Sequence, residues 1–293
     1  PTLALIVARE RERLAFVPED YWVIKGAFDA AEKTGPTSGE GTLAFEAPHA
    51  TARFKDEAQA KAAMAAVEGA TSAKVLSIEK RSRKQQPPVP FNTTSLMAAA
   101  SAEGLSPART MRLAESLYMD GYISYPRVDN TVYPSSLDLE EVVKTISGNP
   151  AYAPFCKELL AKGPLTATRG KKETTDHPPI YPTAMVTPDD LPPAEYKLYN
   201  LIARRFLATL SEAAVVEGTK VTLDISGEHF AAKGDVLVHE GYRAIYPYGM
   251  KKDEQLPALA EGPPLARGSR SPSTAPSAPR SRPSRRRVTA KAS

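Results

Sequence analysis

Along residues 2–14, Leu, Ile and Val gather on one side at helical spacing while Arg and Glu alternate on the other, which predicts a helix that Pro18 ends. Residues 21–29, 42–45, 52–54 and 73–79 read as strands, and the alanine-rich stretch 56–67 reads as a helix. Gln85-Gln-Pro-Pro-Val-Pro90 breaks this small α/β layer. Beyond the break, to about residue 206, the spacing turns helical and predicts helices over 93–102, 107–120, 134–146 and 154–160. Pro107, Pro134 and Pro154 each stand near a predicted helix start, where a missing N–H costs nothing. Residues 215–225, 229–232 and 241–246 return to strands. The order of strands, helix-rich insert and strands predicts a mixed α/β, multidomain chain whose helical domain is inserted into a β-rich one.

Composition changes this picture little. At 293 residues and 42% hydrophobic content the chain can bury a sizeable core and is long enough for two domains. No run approaches the roughly 20 apolar residues of a bilayer span, and the N-terminus lacks a signal-peptide pattern, so a cytoplasmic, nucleoid-associated protein with no membrane partner is expected. The single cysteine, Cys156, has no partner for a disulfide or a zinc site and reads as a small buried hydrophobe.

Charge is more informative once it is divided by region. The net +4 conceals a tail, 267–293, with seven arginines, one lysine and no acid, which leaves −4 for the rest of the chain. A nucleic-acid partner is therefore argued from local clusters on the body: Lys80 to Lys84, Arg169 with Lys171 and Lys172, and Arg204-Arg205. On composition alone each cluster is as readily a solvated face. The tail, rich in Ser, Pro, Ala and Arg, is expected to be disordered. It reads as a nonspecific phosphate-binding arm or, the reading favoured here, as the product of a frameshift or truncated gene.

The candidate chemistry lies in Gly121-Tyr-Ile-Ser-Tyr-Pro-Arg-Val-Asp-Asn130. A free phenol is only about a thousandth ionised at neutral pH, a deficit of about 4 kcal/mol that a neighbouring cation reduces. Arg127, two residues after Tyr125, is such a cation, and its planar fork can hold a phosphate through two hydrogen bonds. Pro126 biases Tyr125 away from helical backbone and fixes the chain beside Arg127. Spacing alone decides nothing, because Tyr-X-Arg is more often a half-buried ring beside a surface charge.

The surrounding blocks decide more. Gly121 to Asn130 with Thr131-Val-Tyr-Pro-Ser-Ser-Leu137 closely resembles the nucleophile segment of type IA DNA topoisomerases, in particular their archaeal-like branch. Asp176-His-Pro-Pro-Ile-Tyr-Pro-Thr183 is similar to that family's second active-site segment. Pro90-Phe-Asn-Thr-Thr-Ser-Leu96 and Ala114-Glu-Ser-Leu-Tyr118 resemble the approach to the tyrosine. Glu195 to Leu207, with Arg204-Arg205-Phe206-Leu207, resembles a family helix, and residues 1–22 resemble the segment leaving the family's fourth domain. The five blocks cover about residues 1–250 in the family's order. Val128 departs from the hydroxyl residue common at that position, and the bacterial enzymes differ around Tyr125 and His177.

The resemblance implies the end of a fourth-domain segment over 1–20, a β-rich arch over 21–86 and 212–262, a helical domain with the catalytic tyrosine over 87–211, and the tail over 263–293. It implies that Tyr125 attacks single-stranded DNA to leave a 5′-phosphotyrosine and a free 3′-hydroxyl. Arg127 and His177 would stabilise the transition state, and the arch would act as a hinge while another strand passes and negative supercoils relax. Asp129, Lys171, Lys172, Arg204 and Arg205 would contact DNA, with Asp129 orienting Arg127 or capping the turn. Tyr122 and Tyr133 are available for stacking, though packing is their expected job. His49, His229 and His239 receive no role. The family also uses Mg²⁺ held by acidic residues of a Toprim domain. No Asp-X-Asp cluster of that kind is present, so the metal domain is expected from the rest of the gene or a complementing polypeptide. The alternative is a noncatalytic single-strand-binding remnant; a tyrosine recombinase or nicking enzyme would need further arginines or a histidine pair.

Overall fold

The computed structural model describes residues 2–32, 41–249, 256, 264–267 and 275–276, with 30–32, 41–44 and the last two stretches described by backbone alone. The chain divides into two compact units, one formed by 1–80, 219–234 and 254–293 and the other by 81–218 and 235–253.

The first unit begins with α1 (Thr2–Ala15), which buries none of its residues and carries Arg9–Glu12 and Arg13–Glu10 pairs three residues apart. After β1 (Trp22–Val23), β2 (Lys25–Glu32) and β3 (Gly41–Pro48) pair antiparallel with Phe28 opposite Phe45, whose rings stack at 5.6 Å. The stretch 52–54, expected as a strand, contributes only a bridge between Phe54 and Trp22. Asp56 caps α2 (Glu57–Val67) by accepting the N–H groups of Ala58 and Gln59. Ala60, Ala63 and Val67 of that helix, at i, i+3 and i+7, enter a core with Ile24, Phe28, Ala73, Val75, Leu223 and Phe230.

β4 (Ser72–Gln85) runs further than the expected 73–79, because its alternating burial stops near residue 77 while its backbone pairing continues through the basic stretch. β5 (Ala214–Ile225) and β6 (Glu228–His239) are joined by Ser226-Gly227, both at positive φ, the turn whose twist suits a two-residue hairpin. The division between the units falls inside β4, β5 and β6 rather than at the proline-rich break.

Part of 263–293, expected to be disordered throughout, is strand: β7 (Pro264–Arg267) pairs with both β2 and β4, and β8 (Ala275–Pro276) pairs with β1. β2 and β4 each present an unpaired edge there, and a backbone placed between them satisfies both. The sheet order is β3-β2-β7-β4-β5-β6. The remainder of the tail lies outside the described residues.

The second unit is helical. α3 (Thr93–Ala102) opens on a reciprocal cap, in which Asn92 accepts the Ser95 N–H and the Ser95 hydroxyl accepts the Asn92 N–H. α4 (Pro107–Met119) is capped by Ser106 with proline at its first position. α5 (Leu139–Ile146) starts five residues later than expected, because Asp138 rather than Pro134 supplies the cap. α6 (Ala153–Ala161) buries Cys156, and the long α7 (Pro193–Thr209) buries Leu198, Tyr199, Ile202 and Phe206. Residues 241–246, expected as a strand, instead open with a 3-10 turn over Gly241–Arg243, followed by a bond from the Tyr246 N–H to the Tyr242 carbonyl. Gly241 makes the turn possible: its φ is +49°, and a Cβ there would meet the Ala213 carbonyl oxygen at 2.6 Å.

Candidate active site

Residues 122–128 form an irregular, extended segment after α4, and two other parts of the second unit fix its path. On one side the Ser124 N–H donates to the Tyr181 carbonyl (2.9 Å) and the Thr183 N–H donates to the Tyr122 carbonyl (3.0 Å), around a bridge between Ile123 and Pro182. The Ser124 hydroxyl donates to the Pro179 carbonyl and accepts the Tyr181 N–H. On the other side, at the start of α3, Thr93 works through a single oxygen: its hydroxyl donates toward the Pro126 (2.7 Å) and Val128 (2.9 Å) carbonyls and accepts the Val128 N–H (2.8 Å). The proline-bounded 179–183 segment and the α3 N-terminus thus hold Tyr125 between two anchored neighbours.

The Tyr125 ring is half-buried between two other rings, Tyr118 edge-on at 5.3 Å and His177 at 4.7 Å between centroids. The structure therefore brings His177 to Tyr125 from 52 residues away in sequence. Asn130, only 3% exposed, holds the backbone that carries His177: its amide donates to the Thr174 and His177 carbonyls, and its oxygen accepts the Val132 N–H. Beside it, the Asp176 carboxyl is held below its usual range by the Thr174 hydroxyl and the His177 N–H.

Arg127 is exposed and does not pair with Asp129 as expected. Its Nε and Nη2 both donate to Oε1 of Glu115 on α4. Asp129 instead accepts from Lys172 and, at 3.4 Å, from the Asn92 amide. Lys172 is brought there by a two-stranded contact in which Thr131 exchanges backbone and hydroxyl bonds with Lys172, and the Gly170 N–H donates to the Thr131 carbonyl. Gly170 has no substitute, since a Cβ would lie 2.1 Å from the Thr131 hydroxyl. Lys171 is exposed beside this contact.

Arg204 and Arg205, expected to contact DNA, make bonds and ring contacts within the second unit. Both are half-buried on α7. Arg204 donates to the Ile245 carbonyl and to Asn200, and Arg205 donates to the Val89 carbonyl and lies 4.4 Å and 5.1 Å from the Phe91 and Tyr246 ring centres. Their guanidinium groups pack α7 against its neighbours. Tyr133 likewise packs, in the core against Tyr181 and Phe206, where burial raises its hydroxyl pKa, and Tyr122 lies half-buried against the same core.

Glu115 and Tyr118 lie in the block Ala114 to Tyr118, whose resemblance implies no role for either. Their spacing, three apart on the helix that ends just before Tyr125, was the available signal. A cleft of about 550 Å³ on the same unit is lined by Tyr133, Ser135, Asp138, Thr166 and Arg169 but by none of Tyr125, Arg127 or His177. Within the candidate site Arg127 and His177 are exposed and Tyr125 is half-buried. Among the described residues no three His, Cys, Asp or Glu side chains come together to hold a metal ion, so these residues supply no ligand set for Mg²⁺. No described helix is long and apolar enough to cross a membrane.

The Tyr125 segment is carried by the helical unit, and the other unit contains antiparallel strands. Residues 1–284 match the family described as DNA topoisomerase, and the chain belongs to this family, the type IA DNA topoisomerases. It is 39% identical over 262 residues to DNA topoisomerase 1 of Archaeoglobus fulgidus, covering 89% of this chain and 36% of that protein. It is 38% identical over 263 residues to DNA topoisomerase 1 of Thermoplasma acidophilum and 31% identical over 264 to DNA topoisomerase 3-beta-1 of Mus musculus, covering 32% and 30% of those proteins. The chain thus spans about a third of the length of the relatives it matches. Topoisomerase I of Thermotoga maritima shares its fold, with a TM-score of 0.64 at 24% identity over 91% of this chain and 42% of that one.

Proposed function

We propose that the chain is the nucleophile-bearing central part of a type IA topoisomerase that cleaves and rejoins single-stranded or negatively supercoiled DNA. The observation that carries this reading is the Tyr125 ring, half-buried against His177 at 4.7 Å on a segment fixed from both sides, with Arg127 two residues away. The Tyr125 oxygen gives up its proton to water as it attacks a backbone phosphorus and forms a phosphotyrosine with the 5′ side of the break. The bond from phosphorus to the 3′ oxygen breaks, and that oxygen leaves as a hydroxyl after taking up a proton. Reversal of these steps rejoins the strand without ATP, because one phosphodiester replaces another. Arg127 binds the non-bridging oxygens as charge grows on them, and His177 lies where it can add a second donor. Lys171 and Lys172 contact flanking phosphates. The acidic metal-binding domain of the family acts from the remainder of the protein or a complementing polypeptide, in a cytoplasmic, nucleoid-associated setting.

The test is a labelled single-stranded oligonucleotide incubated with Mg²⁺, with and without a separately produced acidic metal domain from a relative, followed by denaturation. A covalent adduct that disappears in Tyr125→Phe supports the reading. Salt-sensitive binding without an adduct under either condition replaces it with the second reading, a noncatalytic single-strand-binding remnant.

A further inference from the structure

We propose that Glu115 is a positioning residue that holds the Arg127 guanidinium on an internal carboxylate until a DNA phosphate displaces it. The proposal rests on the reading of Arg127 as a phosphate ligand. Arg127 Nε and Nη2 form the edge of the guanidinium that grips two oxygens of a phosphate, and both now donate to one oxygen, Glu115 Oε1. Two donors sharing one acceptor is poorer than the two-oxygen fork a phosphate offers, so the exchange needs no large driving force. Both side chains are about half exposed, at 59% and 43%, which leaves the pair open to an incoming strand.

Glu115 also sits where it can perform this task without being part of the segment it serves. It lies on α4, one turn before Tyr118, whose ring abuts Tyr125. A single helix face therefore sets the position of both the phenol and the guanidinium. The neighbouring cations are arranged alike, with Lys172 on Asp129 and Arg169 on Glu173. Together these pairs hold the basic groups of the surface extended and oriented, on a body whose net charge is negative outside the tail.

The exchange has a signature that a merely structural carboxylate lacks. When a phosphate binds an unpaired arginine, counterions leave the DNA, and each such contact adds about 0.7 to the slope of log affinity against log salt for a single strand. When the phosphate must first displace Glu115, that gain is offset by the carboxylate set free. Binding of a fluorescein-labelled dT12 strand to the full 293-residue chain, followed by anisotropy over a range of salt, measures both. Glu115→Gln, close in shape and at a half-exposed site, should bind about two- to fivefold more tightly at low salt, the range an exposed ion pair commands. Its salt slope should steepen by about 0.7.

The double variant Glu115→Gln, Arg127→Ala should match Arg127→Ala alone, because the carboxylate acts only through the arginine. A Glu115→Gln chain with unchanged affinity and slope, when Arg127→Ala weakens binding, overturns the proposal and leaves the phosphate role of Arg127 standing. Weaker binding by Glu115→Gln, with circular dichroism unchanged, overturns it as well. If neither the parent chain nor any variant binds the strand, the functional reading fails and the proposal fails with it.

Discussion

Replacing Thr93 with valine removes one oxygen and keeps the shape, so its effect isolates the bonds that fix the nucleophile segment. The hydroxyl accepts the Val128 N–H at 2.8 Å and donates toward the Pro126 and Val128 carbonyls. Val128 is 5% exposed, so its N–H would be left in the interior without a partner. An unmet buried donor costs about 1–3 kcal/mol, while the Val128 carbonyl keeps the Thr93 N–H at 3.0 Å. Adding a smaller contribution from the Pro126 carbonyl gives about 2–3 kcal/mol. With a urea dependence of about 2 kcal/mol per molar, the midpoint followed at 222 nm should fall by about 1–1.5 M. Thr93→Ser keeps the oxygen, loses one methyl group worth about 0.8 kcal/mol and should lose less than half as much. Pro126 lies between Tyr125 and Arg127, so adduct yield in Thr93→Val, compared at equal folded fraction, should fall about tenfold or more. A midpoint within about 0.3 M of the parent, with adduct yield unchanged, would refute the claim that this hydroxyl sets the segment's geometry.

Arg205→Ala should destabilise the chain by about 2–3 kcal/mol through the lost bond to the Val89 carbonyl and the ring contacts with Phe91 and Tyr246. Lysine should restore little of this, and single-strand affinity at equal folded fraction should be unchanged; a selective loss of affinity would return Arg205 to the DNA contacts. Burial pushes the Cys156 thiol from its ordinary 9.0 up to about 11, so maleimide should label it only after unfolding. The folded chain keeps this proton where the unfolded chain releases it, so the thiol's contribution to stability is full below about pH 9 and is lost as pH rises through about 11. Cys156→Ser should lack that component of an alkaline stability profile, and an identical profile would count against it.

What the sequence made legible, and what it hid, follows from how far apart interacting residues lie. α1, α2, α3 and α4 were readable within a residue or two because their determinants are local: Asp56, Asn92 and Ser106 each cap the helix they begin. The same local logic failed at Pro134, because Asp138 four residues on makes a better cap, and at 241–246, where two tyrosines and an isoleucine look strand-like but Gly241 must turn against Ala213. β7 was illegible for a different reason, since four residues of a basic, proline-containing stretch become a strand only when two open edges lie on either side.

The site divides along the same line. Tyr125 and Arg127 are two residues apart and carry their chemistry in the sequence, and His177 became visible through a second block. The groups that determine how these side chains are held are neither acidic clusters nor unusual residues: Thr93, Asn130 and Glu115 lie 33, 47 and 12 positions from Pro126, His177 and Arg127, the residues they bond. Arg204 and Arg205 read from the sequence as a phosphate site because they are adjacent arginines, while the two backbone carbonyls and three aromatic rings around them exist only in the fold. A cation's role therefore depends on what faces it. Arg127 faces a half-exposed carboxylate, whereas Arg205 faces a backbone carbonyl and two buried rings.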